Sequence, residues 1–426
     1  MIVYLICYAA SWIFARFGLY YLSGAALFLA AGYLYVYDYR RSGNLIHLRG
    51  LFSCFWVGGQ GAACLKLSKL QTDWALQTWI CFFLALVGFW ITFEVLDRLM
   101  GENERFTMNR YRQRSTVRPL FFCIVGLTVI SAAAFVTEAA VLGFIPVLVR
   151  GVPHAYSAFH MTGLHYVTVS CVLIPAMTVL YFEQGGSRSG RKNGLIVLCT
   201  LVSIAIPILC VSRFQLVFAV ILAVFTFCAS QKNVSPWLFV AAVVALIPCY
   251  VLLTVARSHD VTYLNGIFEM KNSRMPIFVS QPYIYIANNY ENFDCLVKAL
   301  PAHTWGIRML FPVWALTGLK FLYPYLVSFP IYVDKTELTT VTLIYDAYYD
   351  FGIIGVLVFA CILGAVCFFL VEKLREMKNP MGYLFYGQMA IYMMLSFFTT
   401  WFSNPTTWFY FLVTAVLTFY CSVSRR

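Results

Sequence analysis

Charge is what this sequence has least of. Of its 426 residues 11% are charged, well under the share of about 25% in ordinary soluble domains. With 61% hydrophobic residues and a mean hydropathy of +0.77, it has more apolar surface than a water-soluble core can absorb. It also lacks heptads, low-complexity tracts and any polar stretch that reads as a soluble domain. Cysteine is plentiful but not arranged for binding. None of the 14 forms a CxxC pair, and most (Cys7, Cys81, Cys123, Cys171 and others) lie in apolar runs, where the thiol behaves as a small hydrophobe. We expect neither a disulfide framework nor a metal site. No basic segment precedes the apolar start at Met1 to Phe14, and apolar sequence resumes after Arg16, unlike a cleaved leader. The net charge is +12, yet no basic stripe with interleaved aromatics stands outside the apolar segments, so nucleic acid is not an expected partner.

What is present is a series of long apolar runs. A spanning helix needs about 20 mostly apolar residues. Runs near 2–14, 18–37, 47–65, 74–96, 119–142, 163–182, 195–211, 214–230, 236–255, 351–371, 383–402 and 406–423 meet or approach that length. The expected fold is all-α, a polytopic membrane bundle of about 12 helices in a single integral domain over 1–426. Residues 195–230 are too long for one crossing and must turn at Ser212–Arg213, as 2–37 must turn at Arg16. With the N-terminus inside, 18 basic residues fall on inner segments and 5 on short outer ones. That ratio predicts both termini in the cytoplasm and a long extracytoplasmic loop over 257–350. Within the loop, 305–332 is apolar but carries Arg308, Lys320 and three prolines, which predicts an interfacial or re-entrant element over a span.

Candidate chemistry gathers on the outer side of this plan. Arg213 caps the 195–230 hairpin at headgroup depth, where a planar guanidinium suits phosphate; snorkelling or a phospholipid contact would also place it there. Arg150 and Arg257 lie at the same face. Glu138 stands inside an apolar run, where a carboxylate is either functional or the partner of an arginine. His160 and His165 are five apart, a spacing that straddles a helical face and does not suit a shared metal. Either is a candidate general base or a satisfied structural histidine. Asp346 and Asp350 share a face if helical, and also suit a helix N-terminus. Tyr290 and Glu291 sit among the aromatics of the long loop, which could stack on sugars or line a membrane interface.

Several stretches resemble the bacterial Wzy-type oligosaccharide repeat-unit polymerases, relatives of the O-antigen ligases. They are Gly143-Phe144-Ile145-Pro146, Ser212-Arg213 before an apolar helix, Tyr283-Ile284-Tyr285, Asn289-Tyr290-Glu291-Asn292, and Thr339 to Gly355, all in order along most of the chain. The resemblance implies a C-type membrane glycosyltransferase fold in the bacterial cytoplasmic membrane. It implies transfer of a growing glycan from undecaprenyl pyrophosphate to a lipid-linked repeat unit. It implies no metal or nucleotide cofactor, outer-loop arginines on the pyrophosphates, and flippase and chain-length regulator proteins as partners beside membrane lipids. Arg213 matches that pattern best, while the Arg257 to Gly266 spacing is shorter than the Arg-to-Gly motif of some members. A ligase-like transferase and a transporter or flippase of lipid-linked oligosaccharide are the competing expectations. The single late loop departs from the two similar halves of many transporters.

Overall fold

The computed structural model describes residues 1–100, 117–149, 155–231, 261–272, 274–375 and 377–423, with isolated positions between 234 and 244. Its long helices, in chain order, are α1 (Ile2–Arg16), α2 (Tyr20–Ser42), α3 (Leu48–Cys64), α4 (Leu76–Met100) and α5 (Val117–Leu142). Then come α6 (Leu164–Glu183), α7 (Gly190–Leu209), α8 (Arg213–Ser230), α9 (Val261–Phe268) and α10 (Ile277–Ala299). The last are α11 (Tyr345–Arg375), α12 (Met381–Met394) and α13 (Pro405–Val423). Among the described residues, 7 helices are long and apolar enough to cross a membrane: α4 to α8, α11 and α13. Val129 and Ile130 on α5 and Leu198 and Leu201 on α7 are more than half exposed. In water such faces would form large apolar patches; against lipid they are at home. The chain is a helical, multi-pass membrane protein. The ninth apolar run, 236–255, lies almost wholly outside the described residues.

The chain divides into two compact units. One comprises residues 1–106, 260–372 and 392–407; the other comprises 107–259, 373–391 and 408–426. In the first, α1, α2 and α3 pack together, and the α2–α3 contact is fixed by charge. Arg49 bonds Asp38 through Nε at 2.9 Å and reaches Glu94 of α4 at 2.8 Å, while its guanidinium stacks 4.1 Å from the Trp90 ring. The helix breaks fall where length demands them. α1 ends at Arg16, and α7 gives way to α8 through Cys210, Val211 and Ser212.

Two segments differ from the hydropathy reading. Residues 277–299, which composition assigns to a loop, form the 23-residue α10. Its polar side chains are bonded inward: Asn289 donates to the Phe397 carbonyl at 2.8 Å, Asn292 to those of Leu338 and Thr340 at 2.7 Å, and Asp294 accepts from the Ala75 amide at 2.9 Å. A helix whose buried groups are largely polar carries no hydropathy signal. The run 383–402 is not continuous either. α12 stops at Met394, and the chain returns through a short 3-10 turn at Trp401–Ser403. The Ser396 carbonyl there accepts from the Leu343 amide at 2.9 Å. In 305–332 the described helices are Phe311–Leu316 and Leu319–Leu322, with a 3-10 turn at Pro324–Leu326. At about 1.5 Å per residue none of these can cross a bilayer.

Candidate active site

In the second unit the chain builds a histidine–carboxylate pair from two helix ends. α5 stops one turn after Glu138, at Gly143, whose φ of +77° no ordinary side chain favours. The chain doubles back, and Phe159 packs against Phe135 and Phe144, each with ring centroids 5.7 Å away. α6 then starts at Leu164, so His165 is its second residue. The Glu138 carboxylate is fully buried and receives three kinds of donor. His165 Nδ1 lies 3.2 Å from both oxygens, Thr168 Oγ1 donates at 2.7 Å, and the Met161 amide donates at 3.1 Å. A carboxylate accepting from Nδ1–H fixes the neutral imidazole with Nε2 as its proton acceptor. The His165 side chain keeps 20% of its exposure. The His160 ring stands edge-on, 5.0 Å between centroids. His160 precedes the helix, so the helical spacing argument from sequence does not apply to the pair. Glu138, His160 and His165 therefore come together. Met161 and Thr168 were not anticipated; Thr168, one turn after His165, shares its face.

Arg213 is the first residue of α8 and is buried. The preceding Val211 holds φ at +54°, a left-handed conformation that a β-branched residue rarely adopts. Val211 and Leu216 are buried together, with Val147, Ile204 and Ile208 packed against them. The Arg213 guanidinium stands at the N-terminal, positive end of the helix macrodipole. Arg150 and Arg257 lie outside the described residues.

The first unit holds a second polar cluster, around the start of α11. Asp350 accepts from the amides of Arg308 at 3.2 Å and Met309 at 2.7 Å and from the Thr304 hydroxyl. Asp346, one turn earlier, takes a hydrogen bond from Arg308 Nε, and the guanidinium lies 4.5 Å from the Tyr349 ring centroid. Arg308 and Asp346 line a cavity of about 350 Å³ with Thr399, Thr400, Ser403 and Asn404. That volume suits a small polar ligand such as a sugar. Arg308, which the sequence presented as an obstacle to spanning, is here the cavity's cation.

Tyr290 and Glu291 need correction. Sequence places them in an outer loop as glycan contacts, but α10 turns both into the protein interior. The Tyr290 hydroxyl donates to the Trp56 carbonyl at 2.8 Å, and its ring fills the space beside Gly59. Glu291 is held by Lys66 Nζ at 2.5 Å, Trp74 Nε1 at 2.7 Å and the Thr72 amide at 3.1 Å. Both serve packing. Among the described residues no three His, Cys, Asp or Glu side chains converge as a metal site. Comparison with protein-family models, curated proteins and solved structures gave no match.

Proposed function

We propose that this protein is a glycosyltransferase of the bacterial cytoplasmic membrane that polymerises lipid-linked oligosaccharide repeat units. The observation that carries the reading is the His165–Glu138 pair. It combines a buried, triply bonded carboxylate with a partly exposed imidazole. His165 Nε2 takes the proton from a hydroxyl on the terminal sugar of the acceptor unit. That oxygen bonds to the anomeric carbon of the donor glycan, and the bond from that carbon to undecaprenyl pyrophosphate breaks. The electron pair leaves with the pyrophosphate, whose charge Arg213 offsets as it develops. The Arg308–Asp346 cavity supports the same reading, since hydroxyl-bearing and amide side chains around an ion pair suit a sugar ring. In a strain lacking the protein, single lipid-linked repeat units should accumulate on the outer face. Unpolymerised units held on the inner face would indicate a flippase instead, and full polymer left on the lipid carrier would indicate a ligase.

The reading includes about 12 spans with both termini in the cytoplasm. Reporter fusions at Asn193 and Arg426 should read cytoplasmic and one at Tyr290 external. An external signal at Arg426 would overturn the topology.

Arg213 gives a graded test. Arg213→Ala should abolish polymer while lipid-linked units accumulate. Arg213→Lys should restore short chains only, because an ammonium lacks the bidentate fork. Full chain length from the lysine variant would assign Arg213 to snorkelling, which lysine performs equally well.

A further inference from the structure

The second unit also carries a basic pocket far along the chain from the Glu138 end of α5. The first residues of α5, the last of α6 and the first of α7 meet around a cavity of about 500 Å³. Arg118, Arg188 and Lys192 line it, and none of the described lining residues is acidic. The nearest carboxylate in sequence, Glu183, is engaged by the Gln231 side-chain amide. The loop between α6 and α7 is held in one shape by Asn193. Its Oδ1 accepts from the Tyr181 hydroxyl and the Ser187 amide, each at 3.0 Å, and its Nδ2 donates to the Ser187 carbonyl at 3.0 Å. The cations are thus presented by an ordered frame.

Two further features select the ligand. The 20-residue α7 begins at Gly190, so the positive end of its dipole adds to the field beside Arg188. The pocket also lies where three span-length helices end, and its apolar wall is Phe121 and the half-exposed Phe122. The Arg118 guanidinium is 6.0 Å from the Phe122 ring centroid and the Lys192 ammonium 5.8 Å from that of Phe121. A soluble anion would use the cations alone. A ligand with a phosphate above and hydrocarbon below would use the aromatic wall and the exposed Leu195 and Leu198 of α7 as well. We propose that this pocket is a binding site for an acidic phospholipid, with the phosphate between Arg118, Arg188 and Lys192 and the acyl chains along α5 and α7.

The test uses the purified full-length protein in neutral detergent with dioleoyl phosphatidylglycerol or dioleoyl phosphatidylcholine, read by native mass spectrometry. Basic residues near an anionic lipid contribute about fivefold each. The double variant Arg188→Gln, Lys192→Gln should therefore retain phosphatidylglycerol about 25-fold less well. Retention of phosphatidylcholine should not change. Arg274→Gln, an exposed cation of the other unit, should retain phosphatidylglycerol as the parent does. Equal retention in parent and double variant would overturn the site. So would displacement of the lipid by millimolar inorganic phosphate, which would mark a soluble-anion site. Both substituted side chains are exposed, so the variant's fold is not at stake, and the melting temperature in lipid-free detergent provides the check.

Discussion

His165→Ala is expected to lower the rate of polymer formation by about 10²–10⁴ without lowering the amount of protein in the membrane, the usual cost of losing a general base. The measurement is chain extension by the purified protein in proteoliposomes supplied with lipid-linked repeat units. Glu138→Gln tests the arrangement more finely. The amide keeps the shape and can still accept from Thr168, but it carries no charge to favour the imidazolium that forms on proton transfer. It should cost less than His165→Ala, and combining the two should add little, because residues acting as one unit are not additive. His160→Ala should cost less than His165→Ala, since His165 Nδ1 lies against the carboxylate while the His160 ring stands beside the His165 ring. Normal extension by His165→Ala would remove the pair from the chemistry and shift attention to Asp346 and Arg308. The deletion phenotype would stand apart from that outcome.

Lys66→Met is expected to be the most destabilising single change in the first unit. Lys66 Nζ is buried, 2.5 Å from Glu291, bonded to the Thr72 carbonyl, and 4.6 Å from the Trp74 ring centroid. Removing one partner of a buried pair leaves an uncompensated charge and typically costs about 3–5 kcal/mol. The double variant Lys66→Met, Glu291→Gln should recover much of that loss, because it removes the stranded charge. The pH dependence has a definite sign. Burial raises the Glu291 carboxyl above its usual range, and the Lys66 charge opposes that rise. Without Lys66 the rise is larger, so folded Glu291 holds a proton that the unfolded chain releases. Stability of Lys66→Met should therefore be best at low pH and fall as pH rises through the folded value. Thermal unfolding in detergent at pH 5 and pH 8 measures it. A deficit equal at both would mean that Glu291 is not the stranded group.

The parts of this molecule legible in sequence are those where a residue type is costly in its surroundings. Glu138 stood out because a carboxylate in an apolar run must be satisfied, and the structure surrounds it with three kinds of donor. The break before Arg213 was set by length alone. What could not be read was pairing across distance. Nothing local says that His165 returns to Glu138; that depends on the Gly143 turn and the packing of Phe159. α10 was hidden because its asparagines and acids have loop composition, and their partners lie as far away as Phe397. Thr399 and Thr400 of the Arg308 cavity were hidden for the opposite reason, at the end of what reads as one apolar span. Tyr290 and Glu291 were misplaced together with their helix.

The division of the chain bears on how the protein is made. Each unit collects three separated stretches, and the passages at 372–373, 391–392 and 407–408 fall inside α11, α12 and α13. The first hundred residues thus leave the ribosome well before residues 260–372 and 392–407, which complete their unit. Through most of translation, Lys66 and the amides of Thr72 and Ala75 await partners on a helix not yet synthesised. Splitting the gene near residue 259 would give two fragments that each lack part of both units, so neither half is a candidate for separate expression.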